Sequence, residues 1–322
     1  MATVTPLRLV GHHGGVSVID PTPLPAWCSL QSADEPPAGT AAHEESWVLL
    51  EVPARWGRDI FDGEALGEEL SERLKEHVSA CGSRMLFIRR PGREGQRIDR
   101  HRFYLCDTRP GLRSIRVGRV DRPADMLDLD LSPGGYVDGT REVAAPVPLV
   151  CTHAKRDQCC AVRGRPVVAG LEARVGARLS ALDPDAAVWE CSHTGGHRFA
   201  PVLLLPGTGY TYGLAEADLA ARIVEAELDG RVVTEHLRGR STWSPAGQVA
   251  EVAVRDSGVE AGVDDLLVDI DPDHPHVAVV RHTDGRAWRV EAGRRPLPPR
   301  PQSCRKPAGE ASAWVVESLT VL

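Results

Sequence analysis

Two runs of soft metal-ligand residues, each at the end of an apolar run, constrain this chain more than any other feature. The first is Cys151-Thr-His-Ala-Lys-Arg-Asp-Gln-Cys159-Cys160. It leaves the apolar stretch 147–151 and enters a helical pattern over 163–181, with Val167, Leu171, Val175 and Leu179 on one face. The second is Cys191-Ser-His193-Thr-Gly-Gly-His197-Arg-Phe, which leaves the short run 187–191. A strand–helix–strand order of this length predicts two parallel strands joined by a right-handed crossover. Loops that follow neighbouring parallel strands emerge at one sheet edge, where α/β sheets place their sites. The thiols and imidazoles of the two runs are therefore expected to meet.

The surrounding pattern extends this frame. Residues 47–52 form an apolar run suited to a buried strand. Residues 63–80 carry Leu66, Leu70 and Leu74 at helical spacing and stop at Cys81-Gly82. Strands follow at 85–88, 101–106 and 114–120. After the second ligand run come strands at 199–205 and 208–214, turned at Pro206-Gly-Thr-Gly, and a helix over 216–228. The order β-α-β-β thus recurs. It predicts an α/β fold of thioredoxin-like mixed sheets flanked by helices, in two related blocks, with a small α+β module at the C-terminus. The expected divisions are an extended lead-in (1–45), a degenerate thioredoxin-like domain (46–145), the block with both ligand runs (146–230) and the small module (231–322). Within that module, 232–237 reads as continued helix and 277–290 as a hairpin around Thr283-Asp284-Gly285. The Arg- and Pro-rich 293–307 reads as an extended linker, and 313–322 as a last strand.

Charge and cysteine usage narrow the function classes. With 38 Lys+Arg against 45 Asp+Glu and a formal net charge of -7, the chain lacks the basic excess of a nucleic-acid coat. No apolar run approaches the ~18 residues of a membrane span. Residues 1–10 carry no basic flank followed by an apolar stretch, so a cytoplasmic location is expected. In such a compartment the eight cysteines point to metal or redox chemistry rather than disulfides. Four of them fall between 151 and 191. Cys28, Cys81, Cys106 and Cys304 are scattered and read as buried thiols, and Cys191 reads as a core cysteine. His12-His13 and His274-Pro-His276 sit in loop-like segments and are not expected to bind metal.

Gly195 and Gly196 lie inside the histidine pair, where each would cost a helix about 1 kcal/mol, so His193 and His197 are expected on a tight loop. Two cysteines and two histidines suit zinc, and they suit an iron–sulfur cluster as well. Eight residues separate Cys151 from Cys160, wider than the usual spacing of structural zinc sites. This favours a larger object and leaves zinc open. Arg156 and Asp157 are expected to fix the loop by an ion pair or a helix cap.

The runs CTHAKRDQCC and SHTGGHRFAP, with the later YGL at 212–214, resemble the sucrase/ferredoxin-like family, a relative of the thioredoxin-like ferredoxins. Cys28-Ser-Leu, Ala38-Gly-Thr-Ala, Trp56-Gly-Arg, Ser303-Cys304 and Trp314 extend the resemblance over most of the chain. It implies a thioredoxin-like fold holding a [2Fe–2S] cluster. Two cysteines and the two histidines of the HxGGH run would be its ligands. Residue by residue, the pattern falls on Cys151, His153, Arg156, Asp157 and Cys160, and on His193 and His197. Cys159 stands where some relatives have another residue, so Cys159 remains an alternative to Cys160. The "sucrase" half of the name finds no pair of glycosidase carboxylates here.

The resemblance implies an electron carrier rather than a stand-alone enzyme. The sequence has no dinucleotide fingerprint and no P-loop, so electrons would come from a partner such as a flavin-dependent reductase. No nucleic-acid or membrane partner is expected. Two alternatives stand beside it. One is a thiol–disulfide oxidoreductase using Cys159 with Cys160 or Cys151, weakened by the lack of a Cys-x-x-Cys. The other is a zinc-stabilised interaction module closed by Cys151, Cys160, His193 and His197.

Overall fold

The computed structural model describes residues 27–322. His12, His13, the N-terminal segment examined for an export signal and the first part of the lead-in lie outside the described residues. Helix α1 (Cys28–Gln31) opens the described residues, and turns and bends follow up to residue 45.

The first block opens with β1 (Ser46–Glu51), whose six residues are all buried. Such a run, apolar on both faces, suits a strand in the middle of a sheet. Helix α2 (Glu68–Ala80) links it to β2 (Arg84–Arg89), which pairs with β1 in parallel. Then β3 (His101–Asp107) and β4 (Ser114–Val120) add antiparallel strands, and β5 (Arg141–Glu142) closes that edge.

The second block repeats the opening. β6 (Leu149–Cys151) leads into α3 (Gln158–Leu171), a π-helical turn (Glu172–Gly176) and α4 (Ala177–Leu182). β7 (Trp189–Cys191) returns parallel to β6 with Cys151 opposite Cys191. β8 (Leu203–Leu205) and β9 (Tyr210–Tyr212) form the antiparallel continuation, followed by α5 (Ala217–Leu228). β7 also pairs antiparallel with β2, so both blocks share one ten-stranded mixed sheet.

The helix predicted over 163–181 begins five residues earlier, because the Asp157 carboxylate accepts the Cys159 N–H at 3.0 Å and caps α3 at Gln158. Cys159 and Cys160 therefore lie in its first turn. Gly164 lets α3 lie close on β6: a Cβ there would stand 2.4 Å from the Cys151 carbonyl oxygen.

The C-terminal region departs from expectation in three places. Residues 232–237 do not continue a helix; β10 (Leu237–Arg240) instead joins the large sheet beside β9. The β-branched run Val232-Val233-Thr234 after Asp229-Gly230 disfavours helix. Helix α6 (Pro245–Asp256), capped by Ser244, and β11 (Leu266–Ile270) were not anticipated. Residues 293–307 are not a linker. β12 (Val277–His282) turns into β13 (Ala287–Arg300), which pairs along its length with β14 (Gly309–Val321). Past Glu291, β13 has a partner on only one side, and such an edge tolerates Pro296, Pro298 and Pro299. The four strands make a separate antiparallel sheet, and Ala250 and Val254 of α6 share a core with Leu266, Val280 and Val290. The β13–β14 hairpin ends in a tip that carries Ser303 and Cys304. Among the described residues, no helix is long and apolar enough to cross a membrane.

Candidate metal centre

The parallel β6–β7 pair brings the two ligand runs to one edge. Cys151 and Cys191 are in register, and the Thr152 N–H donates to the Cys191 carbonyl at 3.1 Å. One strand end therefore presents Cys151 while the next presents His193. Cys160, in the first turn of α3, completes a group with them: ligand atoms of Cys151, Cys160 and His193 all lie within 4.8 Å of one another. His197 lies outside that tight group, yet its ring stands 5.2 Å from the ring of His193. Three of the four residues named from the sequence thus meet, and the fourth stands beside one of them.

The histidine loop owes its shape to Gly196 and to Arg238, which the sequence reading missed. Gly196 adopts the left-handed conformation (φ 68°, ψ 44°), and residues 197–199 follow as one 3₁₀ turn. Beneath the loop lies the buried Arg238 side chain. Its Nη1 donates to the Gly195 carbonyl at 3.1 Å and its Nε to Thr40 Oγ1 at 3.0 Å. Burial draws the Arg238 pKa down to about 9. Arg198 holds the other side of the loop through Glu35, at 2.7 Å. No local pattern marks Arg238; it is one of many arginines in the chain.

His153 is fully engaged without a metal. Its Nε2 donates to the Gly57 carbonyl at 2.6 Å, which makes Nδ1 the acceptor for the His193 N–H at 3.2 Å. Both ring nitrogens are occupied, so His153 positions His193 and bridges to the Trp56-Gly57-Arg58 turn. The Trp56 ring packs edge-on against it at 5.7 Å. Burial keeps this imidazole neutral by drawing its pKa below the ordinary histidine range.

His193 and His197 are different. The Nδ1 atom of each is buried and has no hydrogen-bond partner. Orphaned buried nitrogens are costly, and with the thiols of Cys151 and Cys160 grouped around His193 these residue types could hold a soft metal. Cys151 is drawn well below the ordinary thiol pKa, chiefly by its hydrogen bond with Cys160 and further by His193. Cys160 is pushed well above it by the same bond and by burial. The pair thus favours a thiolate at Cys151, the ligand form. His197 Nε2 lies 2.6 Å from Ser303 Oγ and 3.7 Å from Asp157 Oδ2. Ser303 reaches it from the tip of the C-terminal hairpin. His193 instead lines an open cleft of about 330 Å³ with Glu44, Arg58, Arg84 and Arg156.

Cys159 does not share this space. Successive helical residues point about 100° apart at 3.6 residues per turn, so Cys159 and Cys160 face different neighbours. Cys159 meets Cys28 and Cys304, which corrects the expectation that those two are scattered thiols. Cys191 is a buried core residue, and His274 pairs with Asp271 on an exposed loop.

A family model described as sucrase/ferredoxin-like matches residues 37–239, which include both ligand runs. No curated protein and no solved structure matches the chain.

Proposed function

The chain belongs to the sucrase/ferredoxin-like family, and on that premise we propose that it is an electron-transfer protein whose Cys151, Cys160, His193 and His197 hold a [2Fe–2S] cluster. The observation that carries this is the grouping of Cys151 and Cys160 with His193, together with the orphaned Nδ1 atoms of His193 and its neighbour His197. In this reading 146–230 is a thioredoxin-like ferredoxin domain and 46–145 its degenerate counterpart.

When bound, such a cluster supplies a site for one electron. The chain's part is to hold and tune it. Two thiolates with two neutral imidazoles place two fewer negative charges on the site than four thiolates do, and this raises the potential at which an electron enters, as in Rieske centres. His197 ligating through Nδ1 keeps its Nε2 proton directed at Ser303 and Asp157, which fixes its ring. His193 ligating through Nδ1 carries its Nε2 proton on a ring that lines the open cleft. That proton can exchange with solvent, so electron uptake would be coupled to protonation there. The cleft carries Arg58, Lys75, Arg84 and Arg156 against Glu44 and Asp59, a net basic lining that suits an acidic redox partner such as a flavin-dependent reductase.

The test is anaerobic purification with visible spectroscopy and iron and sulfide analysis. The expected result is a red-brown protein with about two irons and two sulfides per chain, lost in His193→Ala and His197→Ala. A colourless protein that stays so after reconstitution would overturn the proposal.

A further inference from the structure

A second cluster of thiols stands beside the first centre. Cys28 comes from α1, Cys159 from the first turn of α3, and Cys304 from the tip of the β13–β14 hairpin. Their sulfurs lie 3.7 Å (Cys28–Cys159), 3.8 Å (Cys28–Cys304) and 3.1 Å (Cys159–Cys304) apart. All three are free cysteines. The buried Asp157 carboxylate closes the group, with Oδ1 3.8 Å from Cys28 Sγ. Ligand atoms of the four residues all lie within 4.8 Å of one another.

We propose that Cys28, Cys159, Cys304 and Asp157 form a separate, closed tetrahedral site for a divalent ion of the zinc class. Sulfurs bound at ~2.3 Å in a tetrahedron stand about 3.8 Å apart. Two of the three observed edges have that length, and the third must open by roughly 0.7 Å to reach it. A disulfide needs about 2.05 Å, a full ångström shorter than the closest pair, and would leave the third thiol without a role. An apolar pocket of thiols does not account for the group either, because a carboxylate sits in its wall. Asp157 is buried, and the Cys159 and Cys304 N–H groups donate to it at 3.0 and 2.8 Å. The Oδ1 lone pair that faces Cys28 Sγ becomes available to a metal once that thiol is deprotonated.

The surroundings already suit bound thiolates. Ser29 Oγ donates to Cys159 Sγ at 3.2 Å, and Arg163 Nη1 donates to Ser29 Oγ at 3.1 Å. The N-terminus of the fourteen-residue α3 directs its positive end at the site. The consequence is structural. Residues 28 and 304 are 276 positions apart, and one ion would fasten α1 and the β13–β14 tip to the helix that carries Cys160. Because Ser303 adjoins Cys304, the same tie would hold Ser303 against His197. The site depends on no assumption about what the first centre binds.

The experiment uses the full chain, prepared anaerobically and incubated with zinc chloride. Elemental analysis and zinc-edge absorption spectroscopy are expected to give about one zinc per chain, with three sulfurs near ~2.3 Å and one oxygen near ~2.0 Å. Cys28→Ser and Cys304→Ser should each weaken zinc retention by more than the ~10–100-fold typical of losing an outer partner. Iron content measured on the same samples reports on the first centre separately. Zinc with imidazole ligands, zinc equal in the parent chain and Cys304→Ser, or a Cys159–Cys304 disulfide in anaerobic protein would each overturn the proposal. If a variant fails to fold, the spectrum of the parent chain decides by itself.

Discussion

The loop that carries both histidines rests on Gly196, and replacing it by alanine tests the geometry directly. Gly196 lies in the left-handed region at φ 68°. A Cβ there costs about 1–2 kcal/mol by sterics with its own backbone. It would also stand 2.3 Å from Arg238 Nη2 and 2.7 Å from its Cζ. The guanidinium cannot swing aside, because Nε and Nη1 are committed to Thr40 and Gly195. Overpacking of this kind costs about 1–3 kcal/mol. Gly196→Ala should therefore lose roughly 2–5 kcal/mol in all. Gly195 supplies the control: it too has positive φ (94°), yet a Cβ there meets nothing within 4 Å. Gly195→Ala should show the backbone cost alone, about 1–2 kcal/mol. The assay is urea unfolding of both variants under identical conditions, comparing the first transition, with iron per chain measured alongside. Adding Arg238→Ala to Gly196→Ala removes the atom that is struck, so the two changes should couple favourably by about 1–3 kcal/mol. Equal destabilisation of the two glycine variants, or strict additivity in the double variant, would refute Arg238 as the floor of the loop.

Further expectations concern neighbouring groups. Cys160→Ser should abolish iron binding while Cys159→Ser leaves it, since only Cys160 faces Cys151 and His193; iron assays on both variants decide, and the reverse pattern would reassign the ligand. Ser303→Ala removes the partner of His197 Nε2 and should speed iron loss to a chelator by ~10-fold or more; unchanged half-lives would show that the hairpin tip does not support the centre. Glu251→Ala leaves the buried Arg255 without its 3.0 Å partner and should cost about 3–5 kcal/mol, read as a lowered unfolding midpoint. Burial raises the Glu227 pKa to about 7, so the folded state holds a proton that the unfolded chain releases at lower pH. Stability should therefore fall as pH rises from the ordinary carboxylate range to about 7, then level off. Glu227→Gln should flatten that slope in unfolding measured across pH, and an unaltered slope would assign it elsewhere.

Much of the frame around the site was legible from local pattern. Apolar runs marked β1, β2 and β6, and Leu70 and Leu74 marked α2, because burial of one helix face or of a whole strand writes its period into the sequence; α2 itself starts at Glu68, so Leu66 precedes it. The strand–helix–strand order around Cys151 and Cys191 then implied a parallel pair and a shared edge, which the in-register pairing of those two residues displays. Local pattern misled where context overrides propensity. The proline-rich 293–307 lacks the look of a strand, yet one open side lets β13 accept its prolines. The start of α3 was placed late because the cap at Asp157 outweighs the absence of an apolar period before residue 163.

Tertiary structure alone decided how the two adjacent cysteines divide. Sequence spacing placed Cys151, Cys160, His193 and His197 in loops bound for one edge, since sheet topology follows from the order of local elements. It left Cys159 and Cys160 interchangeable, because neighbours in a sequence differ in direction only once the helix they belong to is fixed. Cys28 and Cys304 meet Cys159 across 131 and 145 residues, and Arg238 reaches Gly195 across 43. Contacts of that range leave no period in a single chain. They arise only once separate elements pack together.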